Sequence, residues 1–286
     1  MADIWFNEHH VTGSVKLGLN IQEILHIEKT PFQELQIYRN ETFGVFMTLD
    51  GFLQVTEKDE FVYHDMISHP ALAVNPTIKN VLIIGGGDGG SAREIARYNH
   101  IEKIDMVEID GAVVEACKKY LPSTASVYTT EPRLNLIIGD GVQFVAEAAD
   151  CTYDLILVDS TDPAGPGEGL FTIAFYENCY RILKEDGILI NQHECAFHDL
   201  DAIQMQKAHS KIKKVFPIAR VYGFNIPTYS TGYWYFGFAS KKYDPIKDLK
   251  TEQWENLGLK TKYYNTDIHI GAFALPTYVK EILSKA

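Results

Sequence analysis

The sequence predicts an α/β protein in which a small N-terminal antiparallel β domain precedes a mostly parallel, doubly wound sheet. Two observations carry this prediction. Up to about residue 60, apolar side chains fall largely at every second position, which is typical of half-buried strands. From residue 80 onward, short apolar runs alternate with helical segments, and a repeated strand–helix order implies parallel strands. We therefore predict a β domain at residues 1–60 and a larger α/β domain at residues 61–286.

The first domain is predicted from apolar residues at period two with polar partners between them. These residues are Leu25, Ile27, Leu35, Ile37, Val45, Met47, Leu49, Leu53 and Val55. Asp50 and Gly51 separate two of the runs, and Asp-Gly between strands is a strong signal of a tight hairpin. A helix is predicted to follow over residues 61–73 and to stop at Pro76, since a proline disfavours helix in the residue before it.

The second domain is predicted to contain five buried strands, each followed by a helix, and two closing strands. The buried strands are expected at residues 81–84, 104–109, 134–138, 155–158 and 187–191. The helices that follow them are expected at residues 92–97, 112–120, 142–149, 173–183 and 202–215. The closing strands are expected at residues 219–222 and 234–239.

Composition and charge narrow the classes of partner. The chain has 286 residues, of which 46% are hydrophobic, so it can bury a sizeable core. Its net charge of −12 argues against nucleic acid, because phosphate binding needs clustered Lys and Arg. The charge is compatible with a cationic small molecule, and it is also common among cytosolic proteins. The sequence contains no apolar run close to the roughly 20 residues of a membrane span.

The cysteines give no sign of an oxidising compartment. Cys117, Cys151, Cys179 and Cys195 form neither a CxxC pair nor a disulfide framework. The N-terminal residues 1–5 carry no signal peptide. We therefore expect a cytoplasmic location without membrane association.

A glycine-rich loop follows the first strand of the second domain. Residues 85–90 read GGGDGG, so Gly85, Gly87 and Gly90 satisfy the pattern G-x-G-x-x-G. Its strand–loop–helix context favours a nucleotide-type site over a loop that serves only close packing. Glu108 ends the next strand, 20 residues after Asp88, where an acid can accept hydrogen bonds from a ribose. Dinucleotides and sulfonium compounds of the S-adenosylmethionine type both fit this layout.

Asp88, inside the loop, discriminates between these ligands. A pyrophosphate would lie against the loop and the following helix N-terminus, where a carboxylate would repel it. The same charge disfavours the methionine carboxylate of ordinary S-adenosylmethionine. It suits an aminopropyl tail that bears only an ammonium. Asp88 is also placed to cap the helix, and the two roles can coexist.

Further carboxylates follow the third and fourth strands of this domain. Asp159 and Asp162 come directly after the fourth strand, at the sheet edge where open α/β folds bind ligands. Such a pair suits a cationic substrate, a proton to be removed, or both. Asp140 ends the third strand at the same edge, where it could bond an adenine amino group while Gly141 allows close approach. The Pro/Gly-rich loop at 161–172 is consistent with a lid over the substrates.

Taken together, these residues resemble the polyamine aminopropyltransferase family, and most closely its spermidine synthases, over nearly the whole chain. The matching motifs are Trp5-Phe6-Asn7-Glu8, Leu49-Asp50-Gly51 with Gln54, Tyr63-His64-Asp65-Met66, His69-Pro70, GGGDGG at 85–90, Val107-Glu108-Ile109-Asp110, Gly139-Asp140-Gly141, DSTDP at 159–163 and Gly165-Pro166. The resemblance implies a Rossmann-like, methyltransferase-type domain behind a small β domain, usually in a homodimer. It implies aminopropyl transfer from decarboxylated S-adenosylmethionine, a co-substrate, to putrescine, giving spermidine and 5′-methylthioadenosine without a metal or further cofactor.

The resemblance also implies a role for each matching position. Asp159 is the expected proton acceptor. The methylthioadenosine part is expected to contact Gln33, Glu108, Asp140, Gly141 and Pro166. The polyamine or aminopropyl part is expected to contact His64, Asp88, Asp159, Ser160, Thr161 and Asp162. Further lining residues are expected at Gln54, Tyr63 and Tyr229.

The difficult step of such a reaction is the nucleophile. A primary amine resembles lysine, with a pKa near 10.4, so its neutral form costs about 4–5 kcal/mol at pH 7. A positioned carboxylate can take the proton, and the site must align nitrogen, carbon and sulfur. Asp159 is our choice for this role, and electrostatic support with water as the acceptor of the proton is the alternative.

Three other functions compete with this interpretation. A methyltransferase would share the fold and Glu108, the acid expected to bind a ribose. It would explain neither Asp88 nor the acidic pair after the fourth strand. A nicotinamide dehydrogenase is disfavoured by the charge in the loop. A module that only binds polyamines predicts binding without turnover, and nothing in the chain favours it. The acceptor stays open among putrescine, cadaverine, agmatine and spermidine.

Overall fold

The computed structural model describes residues 4–9, 15–161 and 165–286. It shows a seven-stranded sheet with helices on both faces, preceded in sequence by two small antiparallel sheets, which confirms the predicted fold class. Asp162 lies outside the described residues, as does the side chain of Pro166, so the roles of these two residues stay predictions. Within the described chain, no helix combines the length and apolar character needed to cross a bilayer.

The strands are numbered in chain order. They are β1 (Ile4–His9), β2 (Lys16–Ile21), β3 (Glu23–Lys29), β4 (Glu34–Asn40), β5 (Gly44–Leu49), β6 (Phe52–Thr56), β7 (Asn80–Gly85), β8 (Lys103–Glu108), β9 (Leu134–Ile138), β10 (Tyr153–Asp159), β11 (Leu183–Gln192), β12 (Ile218–Asn225) and β13 (Tyr233–Ser240).

The helices are numbered in the same way, and a 3-10 helix spans Gly165–Phe171. They are α1 (Glu60–Val74), α2 (Gly90–Ala96), α3 (Gly111–Tyr120), α4 (Pro122–Ala125), α5 (Val127–Thr130), α6 (Gly141–Glu147), α7 (Ile173–Ile182), α8 (Asp199–Val215), α9 (Thr251–Glu255), α10 (Thr266–Ala272) and α11 (Thr277–Ser284).

The N-terminal β structure consists of a β1–β2 hairpin and an antiparallel meander of β3 to β6. The predicted hairpin turn joins β5 to β6. Asp50 and Gly51 both have positive φ, 50° and 78°, as a two-residue turn between right-twisted strands requires. The first helix of the larger domain, α1, begins at Glu60, directly after this meander.

The large sheet has the strand order β12-β13-β11-β10-β7-β8-β9. The five strands from β11 to β9 are parallel, and β13 and β12 are added antiparallel. The chain proceeds from β7 to β9 in one direction and then returns to β10 on the other side of β7. Ligands bind at such a switch point, beyond the carboxyl ends of the strands.

The core lies in two layers because successive strand residues face opposite sides of the sheet. Ile83, Leu157 and Ile190 pack on the face covered by α1. Leu82 and Ile156 pack on the opposite face, against α7 and α8. Both layers are closed to solvent, so the strand ends are held rigidly where the polar side chains emerge.

The largest departure from the predicted elements is at β11. The strand begins at Leu183, four residues earlier than predicted, because Leu183 is buried and pairs with Tyr153. The register then shifts, and Ile188 pairs with Leu155. The intervening polar residues at 184–186 hide this pairing from a search for a continuous apolar run.

Candidate active site

A cavity opens at the switch point, above the carboxyl ends of β7, β8 and β10. It encloses about 1110 Å³ of space, the open mouth included. Its lining contains most of the predicted site residues, namely Gln33, Gln54, Tyr63, His64, Asp88, Glu108, Asp140, Gly141, Asp159, Ser160, Thr161 and Tyr229. The topology thus brings together residues that are up to 196 positions apart in the sequence, from Gln33 to Tyr229.

The glycine loop fits against the end of β10 because it lacks side chains. A Cβ on Gly85, where φ is +82°, would lie 2.1 Å from the carbonyl oxygen of Asp159. The amide of Gly86 donates to that same carbonyl at 2.7 Å. A Cβ on Gly87 would lie 3.0 Å from Oε2 of Glu108. The loop therefore brings its backbone close to both predicted ligand-binding carboxylates.

Asp159 ends β10 and is partly exposed to the cavity. Its Oδ2 accepts a hydrogen bond of 2.6 Å from the hydroxyl of Ser91. Burial, and then the nearby carboxylate of Asp88, raise the pKa of Asp159, whereas His64 and hydrogen bonds from Ser91 and Tyr63 oppose that rise. A carboxylate with a raised pKa is a better proton acceptor, and these hydrogen bonds orient it.

Asp88 and His64 form one side of this carboxylate site. Asp88 Oδ1 accepts from the amide of Gly90, the first residue of α2, at 2.7 Å, whereas the N-cap position that was predicted for Asp88 is occupied by Gly89. The same oxygen lies 3.3 Å from Nε2 of His64. Burial opposes a charge on His64, but the adjacent carboxylates of Asp88 and Glu60 outweigh it and raise the pKa of His64 well above its ordinary value.

The side of the cavity predicted to bind adenosine is formed by residues that follow β8 and β9. Glu108 accepts from the amide of Asp110 at 2.9 Å and is buried. Burial chiefly raises the pKa of Glu108 to about 7, with further contributions from Asp110 and Asp159. Gln33 approaches from the N-terminal domain, and its amide donates to Asp110 at 2.9 Å.

Asp140 and Gly141 complete this side at the start of α6. The carboxylate of Asp140 accepts from the amide of Val142 at 2.7 Å, so it caps the helix and is also exposed to the cavity. A Cβ on Gly141 would lie 2.5 Å from Cγ2 of Ile84 on β7. The close packing of α6 against this strand therefore requires a glycine at position 141. The cavity therefore offers carboxylates from two neighbouring strand ends to an adenosine.

The side of the cavity predicted to bind the amine is lined by aromatic and amide groups. The hydroxyl of Tyr229 donates to the carbonyl of Gln54 at 3.1 Å. Tyr63 lies against Asp159, and burial followed by that charge raises the pKa of Tyr63 well above its ordinary value. Trp234 packs edge-on against Tyr229 at 4.8 Å between centroids, and its Nε1–H donates to Gln192 at 3.2 Å. Trp234 thus belongs to the site as well as to the core.

A second cavity continues from the first and shares six lining residues with it, namely Leu53, Gln54, Tyr63, Ser160, Thr161 and Tyr229. Three carboxylates, those of Glu8, Glu194 and Asp201, line the second cavity. Glu194 therefore lines the cavity that adjoins the first one. His193 is different, because it is buried on the side of α8 and its ring faces His209 at 6.2 Å.

One group of side chains in the described part of the chain has the spacing of metal ligands. Asp65, His69 and Glu94 are buried, and their ligand atoms lie within 4.8 Å of one another. Glu94 already pairs with Arg93 and Arg97, and two guanidinium groups disfavour a dication beside them. We interpret the group as an ion-paired histidine between two carboxylates.

The sequence interpretation missed several residues that support the site. Ser91 is the first side chain of α2 beyond the loop, and only the fold shows that it reaches Asp159. Glu60 precedes His64 by four positions on a helix, a spacing that places both on one face and could have revealed the pair. Asp59 accepts from the amide and hydroxyl of Thr228, which joins two cavity walls that are far apart in the sequence.

The chain matches two family models. Residues 60–251 match the spermine/spermidine synthase domain, and residues 4–57 match the spermidine synthase tetramerisation domain. Among relatives, a polyamine aminopropyltransferase of Clostridium acetobutylicum is 57% identical over 285 residues, 100% of this chain and 99% of that protein. One of Alkaliphilus oremlandii is 56% identical over 283 residues, 99% of each chain.

Solved structures agree with the sequence relatives. A spermidine synthase in complex with the transition state analogue AdoDATO superposes with a TM-score of 0.95 at 40% identity, covering 99% of this chain and 96% of that one. The spermidine synthase from Thermotoga maritima superposes with a TM-score of 0.94 at 39% identity, covering 100% of this chain and 96% of that one. The similarity therefore extends over both domains.

Proposed function

Because this chain belongs to the spermine/spermidine synthase family of polyamine aminopropyltransferases, we propose that it transfers the aminopropyl group of decarboxylated S-adenosylmethionine to putrescine. The products are spermidine and 5′-methylthioadenosine. The observation that carries this proposal is the pair of carboxylates, Asp88 and Asp159, in the same cavity as Glu108. An adenosyl sulfonium with a cationic tail matches that set of charges.

Different parts of the donor would be bound by different carboxylates. Glu108 suits the ribose hydroxyls, and Asp140 suits the adenine amino group. Asp88 suits the ammonium of the aminopropyl tail. Ordinary S-adenosylmethionine would bring its own carboxylate towards Asp88 and Asp159, and two like charges in a buried site repel each other.

The acceptor would enter through the second cavity. Its reacting amine would lie beside Asp159, and the carboxylates of the second cavity would attract its distal ammonium. The nitrogen forms its bond to carbon as the carbon–sulfur bond breaks, and the electron pair of that bond neutralises the sulfonium. The proton of the attacking amine passes to Asp159, so the carboxylate offsets the cost of a neutral nucleophile.

The test is an amine panel with the purified protein. Putrescine, cadaverine, agmatine and spermidine are each incubated with decarboxylated S-adenosylmethionine, and in parallel with ordinary S-adenosylmethionine. Mass spectrometry follows methylthioadenosine and the amine products. We expect methylthioadenosine and spermidine from putrescine, and a loss of rate of about a hundredfold or more in Asp159→Asn, the range for a general base.

Asp267→Asn is the matched control, because Asp267 is exposed on α10 and lies outside both cavities. It should keep the wild-type rate. Release of methylthioadenosine with another amine but not with putrescine would change the proposed acceptor. Methyl transfer from ordinary S-adenosylmethionine, without methylthioadenosine from any amine, would contradict the proposal and favour a methyltransferase.

A further inference from the structure

We propose that Glu60 and Arg93 are positioning residues for the transfer reaction. They hold His64 as an imidazolium directed at Asp88, and they thereby fix the carboxylate that receives the aminopropyl ammonium. This inference rests on the function proposed above and concerns residues that do not touch the reacting atoms.

The geometry is that of a continuous chain of contacts in which the central residues, His64 and Glu60, are buried and the ends, Arg93 and Asp88, are partly exposed. Nδ1 of His64 lies 2.6 Å from Oε2 of Glu60, one helical turn earlier on α1, and Nε2 lies 3.3 Å from Asp88. Arg93 on α2 binds both oxygens of Glu60, at 3.0 and 2.9 Å. His64 is 2% exposed and Glu60 7% exposed, so water does not compete for these contacts.

The ring of His64 is also held sterically. It lies so close to Gly90 that a Cβ on that glycine would come within 2.4 Å of three ring atoms. The imidazole is thus packed between α1 and the first turn of α2. Its two nitrogens face two different carboxylates, an arrangement that only a doubly protonated ring satisfies with two donors.

The charges alternate along the chain of contacts. They run from Arg93 to Glu60, His64 and Asp88, and the carboxylate of Asp159 stands next to Asp88. A neutral His64 would leave two adjacent carboxylates without a nearby cation in the empty site, which would raise the cost of ionising Asp159. Tyr63, the remaining titratable group beside His64, adds a hydroxyl but no charge at neutral pH.

Glu60→Gln tests the proposal, because it keeps the shape of the side chain and removes the charge. We expect the KM for decarboxylated S-adenosylmethionine to rise about ten- to a hundredfold, the range for a lost charged hydrogen bond, with a smaller change in kcat. We also expect a new alkaline decline in kcat/KM, as His64 becomes neutral, and an acid limb at higher pH, as Asp159 loses its neighbouring cation. Arg93→Lys keeps a cation beside Glu60 but loses the two-point contact, so its pH profile should shift in the same direction as that of Glu60→Gln and by less.

Glu102→Gln is the matched control, since Glu102 is exposed and pairs with Lys79 away from the cavity. The charge state is measured directly on the wild-type protein by ¹⁵N NMR of its histidines, with His64→Asn used only for assignment. The proposal predicts a protonated His64 ring throughout roughly pH 6 to 8. A ring that titrates to the neutral form in that range would overturn it, as would a Glu60→Gln pH profile that superimposes on the wild type.

The NMR measurement needs no catalysis, so it separates this inference from the proposed function. A wild-type protein that releases no methylthioadenosine would contradict the function while the charge of His64 is still measured. Because the NMR measurement is made on the wild-type protein, it tests the proposal even if the Glu60→Gln variant does not fold.

Discussion

At the scale of single residues, the site is organised by carboxylates whose surroundings differ. Asp159 lies at the cavity wall near the carboxylate of Asp88, and the hydroxyl of Ser91 and the charge of His64 oppose the rise in its pKa. Burial of Glu108 outweighs the hydrogen bonds that it accepts from the backbone, and it raises the pKa of Glu108 to about 7. Asp159 is thereby suited to accept a proton, and Glu108 ionises near neutral pH.

The pKa of Glu108 predicts a pH-dependent affinity for methylthioadenosine. In the proposed binding mode, the ionised carboxylate would accept hydrogen bonds from both ribose hydroxyls, whereas the protonated form would lose acceptor capacity. For a pKa of about 7, the ionised fraction falls about tenfold from pH 8 to pH 6, and the affinity should fall by about that factor. Isothermal titration calorimetry at the two pH values measures it.

Glu108→Gln is the control for this prediction, because its side chain does not titrate. The variant should bind methylthioadenosine more weakly than the wild type at pH 8 and with little pH dependence. Equal wild-type affinities at both pH values would show that Glu108 does not bind as the carboxylate.

At the scale of elements, the contact between α1 and α2 controls the site. Gly90, the first residue of α2, lies against the ring of His64 on α1, and the glycine loop before it lies against β10. The same two helices are joined by Arg93 with Glu60 and by His69 with Glu94. A side chain at this contact would therefore disturb both packing and chemistry.

We predict that Gly90→Ala destabilises the protein and impairs the enzyme. The added methyl group would overlap the His64 ring, and overpacking of this kind costs about 1–3 kcal/mol. Thermal unfolding should show a lower Tm, and steady-state kinetics should show a raised KM for the donor, because His64 and Asp88 are displaced together.

Gly271→Ala is the matched substitution on α10, where a Cβ meets nothing within 4 Å and φ is not positive. It should leave activity unchanged and stabilise the helix by up to about 1 kcal/mol, the difference in helix propensity between glycine and alanine. If Gly90→Ala behaved like Gly271→Ala, the close contact with His64 would not be important in solution.

The elements also show what the sequence could and could not predict. Strands such as β7 and β10 were predictable, because continuous apolar runs bounded by glycine or polar residues leave few alternatives. Strand β11 was predicted too short, because polar residues at 184–186 follow Leu183 and interrupt the apolar run at a register shift. The short helices α9 to α11 carried no prediction, and the segment between α9 and α10 is held by hydrogen bonds from the amides of residues 262–264 to Oδ2 of Asp65.

The same distinction applies to the site. Asp88, Glu108 and Asp159 lie next to strand ends, so the topology of parallel strands was enough to bring them together. Ser91 and Arg93 became visible only in the structure, because their contacts depend on the packing of one helix against another element. Gln33 and Tyr229 were predicted from the family resemblance, and their presence in one cavity depends on how the N-terminal sheet meets the larger domain.

At the scale of the whole molecule, the N-terminal sheet has more exposed apolar surface than its own folding requires. Strand β3 lies at the edge of its sheet, and its residues Ile24 and Ile27 are each 52% exposed. Trp5, on the neighbouring hairpin, is 51% exposed. An open edge strand with apolar side chains is a site for association, and the family model matched here is described as a tetramerisation domain.

We therefore predict that the chain forms a homo-oligomer, with the expected homodimer as its smallest stable unit, and that β3 contributes to the assembly. Ile24→Lys combined with Ile27→Lys places two charges on that strand, and desolvating them on association would be costly, so the assembly should shift to smaller species. Light scattering coupled to size-exclusion chromatography measures the mass of the wild type and the double variant at equal concentration.

Lys16→Glu on β2, an exposed charge reversal on a different sheet, controls for the change in charge. A monomeric wild type would refute assembly altogether, whereas an unchanged mass in the double variant with an unchanged Tm would place the interface on another face of the molecule.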